Sequence, residues 1–111
     1  MKPSVLVILF AGIIVAANAG RATLWQNAGQ SGQSLKIENN DFECHNIPGN
    51  FNDRVSSINT QGGCIALFQH GNCGGRRVIF RPNCGSGECC GDHSRMSNCD
   101  FNDRASSYAF C

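Results

Sequence analysis

The chain of 111 residues lacks an excess of either charge: nine Lys and Arg face eight Asp and Glu, and only 15% of residues are charged. That balance provides no broad field for nucleic acid or an anionic membrane. Beyond residue 19 there is also no apolar run of about 18 to 20 residues, the length needed to cross a bilayer. Catalytic motifs are missing too. His45, His70 and His93 sit in polar, turn-like surroundings, none in a nucleophile-elbow, zincin or thiol-protease context. Asp41 and Glu43 could be read as an acid and base pair, but they share one short loop in a chain with little room for a cleft, so a solvated loop is the expected reading. No Asn-x-Ser/Thr acceptor for N-glycosylation occurs after residue 19. These absences point to a non-enzymatic protein without a nucleic-acid partner.

The one long apolar stretch is at the start. Lys2 precedes a run from Val5 to Ala16, and Ala17-Asn18-Ala19 places small residues where a signal peptidase reads. The sequence predicts a signal peptide over 1–19, secretion to the extracellular space, and a mature domain over 20–111 whose eight acidic and eight basic residues cancel. All eight cysteines, Cys44, Cys64, Cys73, Cys84, Cys89, Cys90, Cys99 and Cys111, fall in that domain. A small body buries a modest share of its surface and needs support, and in an oxidising compartment this cysteine content reads as a disulfide framework. Eight cysteines allow 105 pairings, and the sequence does not choose among them. Cys64 and Cys111 could meet if the strands they flank are neighbours. Cys84, Cys89, Cys90, His93 and Cys99 could also be read as zinc ligands, but paired Cys-x-x-Cys knuckles are lacking and secretion favours oxidation, so no zinc is expected.

An internal repeat organises the rest. Phe51-Asn52-Asp53-Arg54-Val55-Ser56-Ser57 returns 50 positions later as Phe101-Asn102-Asp103-Arg104-Ala105-Ser106-Ser107, differing only at Val55 and Ala105. Upstream, Leu24-Trp25-Gln26-Asn27-Ala28-Gly29-Gln30-Ser31-Gly32 is similar to Leu67-Phe68-Gln69-His70-Gly71-Asn72-Cys73-Gly74-Gly75, offset by 43. The difference in offset assigns extra residues to the second unit, and the cysteine-rich segment 84–99 is read as an elaborated loop. Short runs rich in β-branched and aromatic residues predict strands over 22–26, 34–37, 56–59, 65–69, 77–81 and 106–110. Leu35 with Ile37, and Val78 with Phe80, share faces at period two. No segment reads as a helix. Two such units predict an all-β sandwich of antiparallel sheets with Greek-key connections, motif one over about 22–62 and motif two over about 64–111.

The aromatic hairpins Trp25 to Gly32 and Phe68 to Gly75, each followed by Asn-Asp-x-x-Ser-Ser, resemble the two Greek-key motifs of a βγ-crystallin domain. Cys64-Ile65-Ala66-Leu67-Phe68 with Gly74-Gly75-Arg76-Arg77 also resembles the secreted branch of that superfamily containing metalloproteinase inhibitors and antimicrobial or toxin-like proteins. Gln30 and Cys73 depart from the family pattern, which often has an aromatic there, and Asn72 stands where a turn glycine is usual.

The resemblance implies two calcium ions. Asp53, the Arg54 carbonyl and Ser56 would serve one element, and Asp103, the Arg104 carbonyl and Ser106 the other; Asn52 and Asn102 open the elements, and backbone oxygens of Gln26 and Gln69 would complete the shells, with ligands exchanged between motifs. Oxygen donors of this kind suit a hard ion, and one carboxylate per element predicts weak sites, at about 10⁻⁴ to 10⁻³ M. The alternative is that Asn, Asp and Ser only tie turns shut by bonding nearby backbone. Arg76, Arg77 and Arg81 form a local basic cluster, with Arg77 and Arg81 on one face of an alternating strand and Arg76 at the turn, that could touch an acidic or cell-wall partner, or protect an edge strand by charge. The lone Trp25 is expected as a packed core or corner residue, not an exposed sugar platform. The calcium-binding reading therefore stands beside two others: a protease inhibitor or antimicrobial effector acting through an exposed loop, and a passive structural protein.

Overall fold

The computed structural model describes residues 20–84 and 87–111; the expected signal peptide over 1–19 lies outside the described residues. Two sheets form. In the first, β1 (Gly20–Asn27) lies between β2 (Ser31–Asn39) and β4 (Ser57–Asn59). The second runs in the order β3 (His45–Asn46), β8 (Ser107–Phe110), β5 (Ile65–His70), β6 (Gly74–Phe80), β7 (Cys89–Cys90). All pairs are antiparallel except β6 with β7. No α-helix occurs among the described residues, and two single 3-10 turns cover Gly71–Cys73 and Met96–Cys99.

The alternation in the sequence explains which faces meet. Ala22 lies opposite Ile37 and Leu24 opposite Leu35, while Ile65 lies opposite Phe80 and Leu67 opposite Val78. Because successive side chains point to opposite faces, these positions aim inward. They pack with Ile58, Tyr108 and Phe110, and with Val55, Phe51, Phe101 and Ala105 from the segments before β4 and β8. The repeat is thus also a repeat of the core, with Phe51 and Phe101 only 3% and 0% exposed.

The connections cross between motifs. β3 belongs to motif one yet pairs with β8 of motif two, His45 facing Tyr108. Conversely, residues 93–96 of motif two run beside β4: the Ile58 amide donates to the His93 carbonyl (2.8 Å) and the Met96 amide to the Ser56 carbonyl (3.0 Å). Each motif therefore gives its third segment to the other's sheet, which is the Greek-key exchange in its two-motif form.

The structure revises several expectations. The predicted strands are present with shifted limits, and β3 and β7, of two residues each, were not foreseen. Segment 84–99 is more than a loop, since it contributes β7, the crossing residues 93–96 and a 3-10 turn. Arg81 lies beyond β6, so it does not share a strand face with Arg77. Nor is β6 an edge at its far end, where Ile79 and Phe80 pair with β7. Two of the three arginines are engaged within the molecule: Arg77 Nη2 lies 2.6 Å from Glu88, and Arg76 donates to the carbonyls of Cys99 (2.8 Å) and Asp100 (2.5 Å) while lying over the Phe101 ring.

All eight cysteines are paired, as Cys44–Cys73, Cys64–Cys111, Cys84–Cys89 and Cys90–Cys99. The Cys64 to Cys111 link arises because β5 and β8 are neighbours, with Ile65 opposite Phe110. No thiolate is left to hold zinc among the described residues.

Candidate metal centre

The two Asn-Asp-x-x-Ser-Ser elements face each other. Asp53 and Asp103 both adopt the left-handed backbone conformation, at φ 58° and 57°, which Asp tolerates better than most side chains. The Asp53 amide donates to the Ala105 carbonyl (2.9 Å) and the Asp103 amide to the Val55 carbonyl (3.0 Å). That pairing turns each carboxylate toward the opposite element. Ser106 Oγ donates to Asp53 Oδ1 at 3.0 Å, and Ser56 Oγ to Asp103 Oδ1 at 3.1 Å. Each aspartate is therefore grouped with the serine of the other motif, not with its own.

The hairpins bring further oxygens to the same places. The Ser56 amide donates to the Trp25 carbonyl (2.9 Å) and the Ser106 amide to the Phe68 carbonyl (2.8 Å). Gln26 and Gln69 follow Trp25 and Phe68 in the chain; Gln69 lines the Asp53–Ser106 cluster, and Gln26 donates from Nε2 to the Asn50 carbonyl (3.4 Å). Around the second, Asp53, Gln69, His70, Gly71, Asp103, Arg104 and Ser106 line a pocket of about 290 Å³. Asp53, Asp103 and Arg104 are exposed, Ser106 is half-buried and Ser56 is buried. The Arg104 side chain reaches Asp100 (3.8 Å). Asn52 is anchored through its amide to the Pro48 carbonyl (2.9 Å); Asn102 is exposed.

The second serine of each pair has a different task. Ser57 Oγ donates to the Asn27 carbonyl (2.6 Å) and accepts the Gln30 amide (2.9 Å). Ser107 Oγ donates to the His70 carbonyl (2.5 Å) and accepts the Cys73 amide (2.8 Å). Both serines are fully buried and bind the hairpin of their own motif. Gln30, Asn72 and Cys73 take positive φ there, at 56°, 56° and 58°. The residues that depart from the expected aromatic and glycine pattern thus still form the folded turn. Ser-Ser is consequently one structural residue joined to one residue that faces the cluster, a division the sequence pattern does not reveal.

The donor set fits a hard cation. Each cluster offers a carboxylate oxygen and a serine hydroxyl beside backbone carbonyls, all oxygen, which is calcium's preference. No group of three or more His, Cys, Asp or Glu that could hold a metal occurs among the described residues, in line with one carboxylate per cluster.

Elsewhere, Asp41 is bonded within its own loop. Asp41 accepts His45 Nε2 (2.7 Å) and the Glu43 amide (3.0 Å). The hydrogen bond from His45, then that from Glu43, holds its carboxyl below the ordinary range. Asp92 is held low in the same way by Asn98 and Ser94. Burial, and then the charge of Asp41, pushes the Tyr108 phenol up. His93 lies edge-on to Phe80, and Trp25 is half-buried within β1, opposite Ser34 of β2 and Ser57 of β4.

Two Greek-key motifs with exchanged third segments and facing aspartate and serine pairs define a class of small all-β sandwich. The same architecture occurs in solved βγ-crystallin domains. An archaeal βγ-crystallin superposes with a TM-score of 0.64 at 19% identity, covering 83% of this chain and 98% of that one. The βγ-crystallin of Ciona intestinalis matches at 0.64 and 21%, covering 83% and 100%. The Ca2+-bound βγ-crystallin domain of Abundant Perithecial Protein from Neurospora crassa matches at 0.59 and 14%, covering 83% and 88%. No protein-family profile and no curated protein matches the sequence. The chain has the βγ-crystallin fold.

Proposed function

We propose that this chain is a secreted, non-enzymatic calcium-binding domain of βγ-crystallin type, in which two calcium ions stabilise the docked pair of motifs. The observation that carries the reading is the reciprocal grouping of Asp53 with Ser106 and of Asp103 with Ser56. A turn needs only its own serine to close, and Ser57 and Ser107 already do that; the crossed pairs are surplus to turn closure. In each, the hydroxyl proton satisfies the carboxylate while metal is absent, and both oxygens remain available to an ion between them. The Ca2+-bound form of the Neurospora domain adds support from a protein of the same fold.

Asp53, Ser106 and the carbonyls of Gln69 and Arg104 would hold one ion, and Asp103, Ser56 and the carbonyls of Gln26 and Arg54 the other. With one carboxylate each, dissociation constants near 10⁻³ M are expected, so about 10 mM calcium contributes roughly 1.4 kcal/mol per site by mass action. In a domain of this size that raises the melting midpoint by roughly 5–10 °C per site. Thermal melts of the oxidised protein with calcium, and with magnesium as control, test this. Asp53→Ala and Asp103→Ala should each remove about half of a calcium-specific rise and together all of it. No rise at about 10 mM, well above the weak-site range, would reduce the crossed pairs to structural bonds.

A further inference from the structure

The two aspartate and serine clusters are alike in their donors and unlike in the charges around them. Just before the repeated elements, Asn50 stands where the second copy has Asp100. Asp100 lies 3.8 Å from Arg104 and 3.9 Å from Arg76, so the guanidinium beside the Asp53–Ser106 cluster has a carboxylate partner. Arg54, its equivalent, has the neutral Asn50 in that place. The segments that close the clusters differ in the same sense. The Ile47 amide donates to the Ser106 carbonyl (2.9 Å) and the Met96 amide to the Ser56 carbonyl (3.0 Å). The residues just before them are Asn46, which is bonded to Asn72, and Arg95.

Arg54 and Arg95 are exposed, and among the described residues no ion pair or side-chain hydrogen bond engages either. Each is one residue from a backbone bond of the Asp103–Ser56 cluster, since the Val55 carbonyl accepts the Asp103 amide (3.0 Å) and the Met96 amide donates to Ser56. Val55 and Met96 turn into the core, and the arginines before them face solvent. On the calcium reading, on which the proposal rests, Asp103, Ser56 and the carbonyls of Gln26 and Arg54 supply four oxygens to an ion that takes about six to eight. The remaining positions open to the same solvent as the two guanidinium groups. A ligand oxyanion there can place one oxygen on the ion and offer others to the forked N–H donors of arginine, which match a carboxylate or phosphate edge. Without the ion, the Asp103 carboxylate repels such a ligand and offsets the arginines.

We propose that the Asp103–Ser56 site binds an oxyanion together with calcium: a carboxylate or phosphate group of a small ligand bridges the ion to Arg54 and Arg95. The Asp53–Ser106 site, with Arg104 paired and Asn46 neutral, lacks this second half. The two ligands are then linked, and each raises the affinity for the other by the same factor.

Isothermal titration of the oxidised protein with glucuronate and with glycerol phosphate, in about 10 mM calcium and again in EDTA, tests this, with glucose as the neutral control. At least one oxyanion is expected to bind at least about fivefold more tightly with calcium than without, and glucose not at all; the arm that responds tells a carboxylate from a phosphate. Asn50→Asp/Arg95→Asn gives this site the surroundings of the other one. It should abolish the enhancement and keep the calcium-specific rise in melting midpoint. A calcium rise with no enhancement for either oxyanion overturns the proposal and leaves the calcium reading standing. An enhancement that survives in Asn50→Asp/Arg95→Asn overturns it too, because the anion then binds elsewhere. No calcium-specific rise and no enhancement overturns both readings together.

Discussion

Adjacent serines in one repeated element carry unequal burdens. Ser57 and Ser107 are 0% exposed, and each satisfies a carbonyl and an amide of its hairpin at once. Removing either hydroxyl strands two backbone groups, at a cost of about 1–3 kcal/mol for each group left buried and unpaired. Ser106 is half-buried and bonded to an exposed carboxylate that water can reach. Chemical denaturation without calcium should therefore show Ser57→Ala and Ser107→Ala destabilised by at least about 2 kcal/mol and Ser106→Ala by under about 1 kcal/mol. Added calcium should reverse the contrast, since Ser106→Ala loses a proposed ligand while Ser107→Ala keeps it. The sequence makes both serines of each pair visible and so leaves turn closure and metal binding open together. Only the burial and the partner of each hydroxyl separate them, and both depend on contacts 27 or more residues away.

At the level of elements, the hairpins were legible because their backbone demands special residues. Gly32 and Gly75 have φ of 82° and 75°, and a Cβ on either would come within 2.5 Å of the Asn27 or His70 side chain. A non-glycine residue in such a conformation costs about 1–2 kcal/mol before any collision is counted. Gly32→Ala and Gly75→Ala are expected to lower stability by at least that much, whereas Gly49→Ala, with negative φ and nothing within 4 Å, should be close to neutral in the same denaturation experiment. β1, β2, β5, β6 and β8 were legible through alternation. β3 and β7 were not, because two residues are too few to display a period and their pairing is decided by the other motif or by a disulfide. His45–Asn46 becomes a strand because Tyr108 and Ser107 lie beside it, and Cys89–Cys90 because Cys84–Cys89 folds it back against Ile79 and Phe80. The partners of Arg76 and Arg77 were not legible for a similar reason: Glu88 and the carbonyls of Cys99 and Asp100 lie 11 to 24 residues away in sequence and come close only after the second motif folds.

For the whole molecule, covalent links and the proposed ions act on opposite ends of the folding equilibrium. A disulfide works mainly by restricting the unfolded chain, more so when it closes a longer loop. Cys64–Cys111 spans 47 residues and Cys84–Cys89 spans 5, for which the loop-entropy relation gives about 4 and about 2 kcal/mol. At the proposed sites calcium would bind only where the two motifs are docked, because each site draws donors from both, so it would lower the native state and leave the unfolded chain untouched. The two contributions should then be independent. Cys64→Ser/Cys111→Ser is expected to reduce stability by about twice as much as Cys84→Ser/Cys89→Ser, while the calcium increment, measured by denaturation at a fixed ion concentration, stays equal in both and in the parent protein. A smaller increment in Cys64→Ser/Cys111→Ser alone would instead mean that the bond between β5 and β8 helps hold the motifs in the crossed register that brings Asp53 to Ser106.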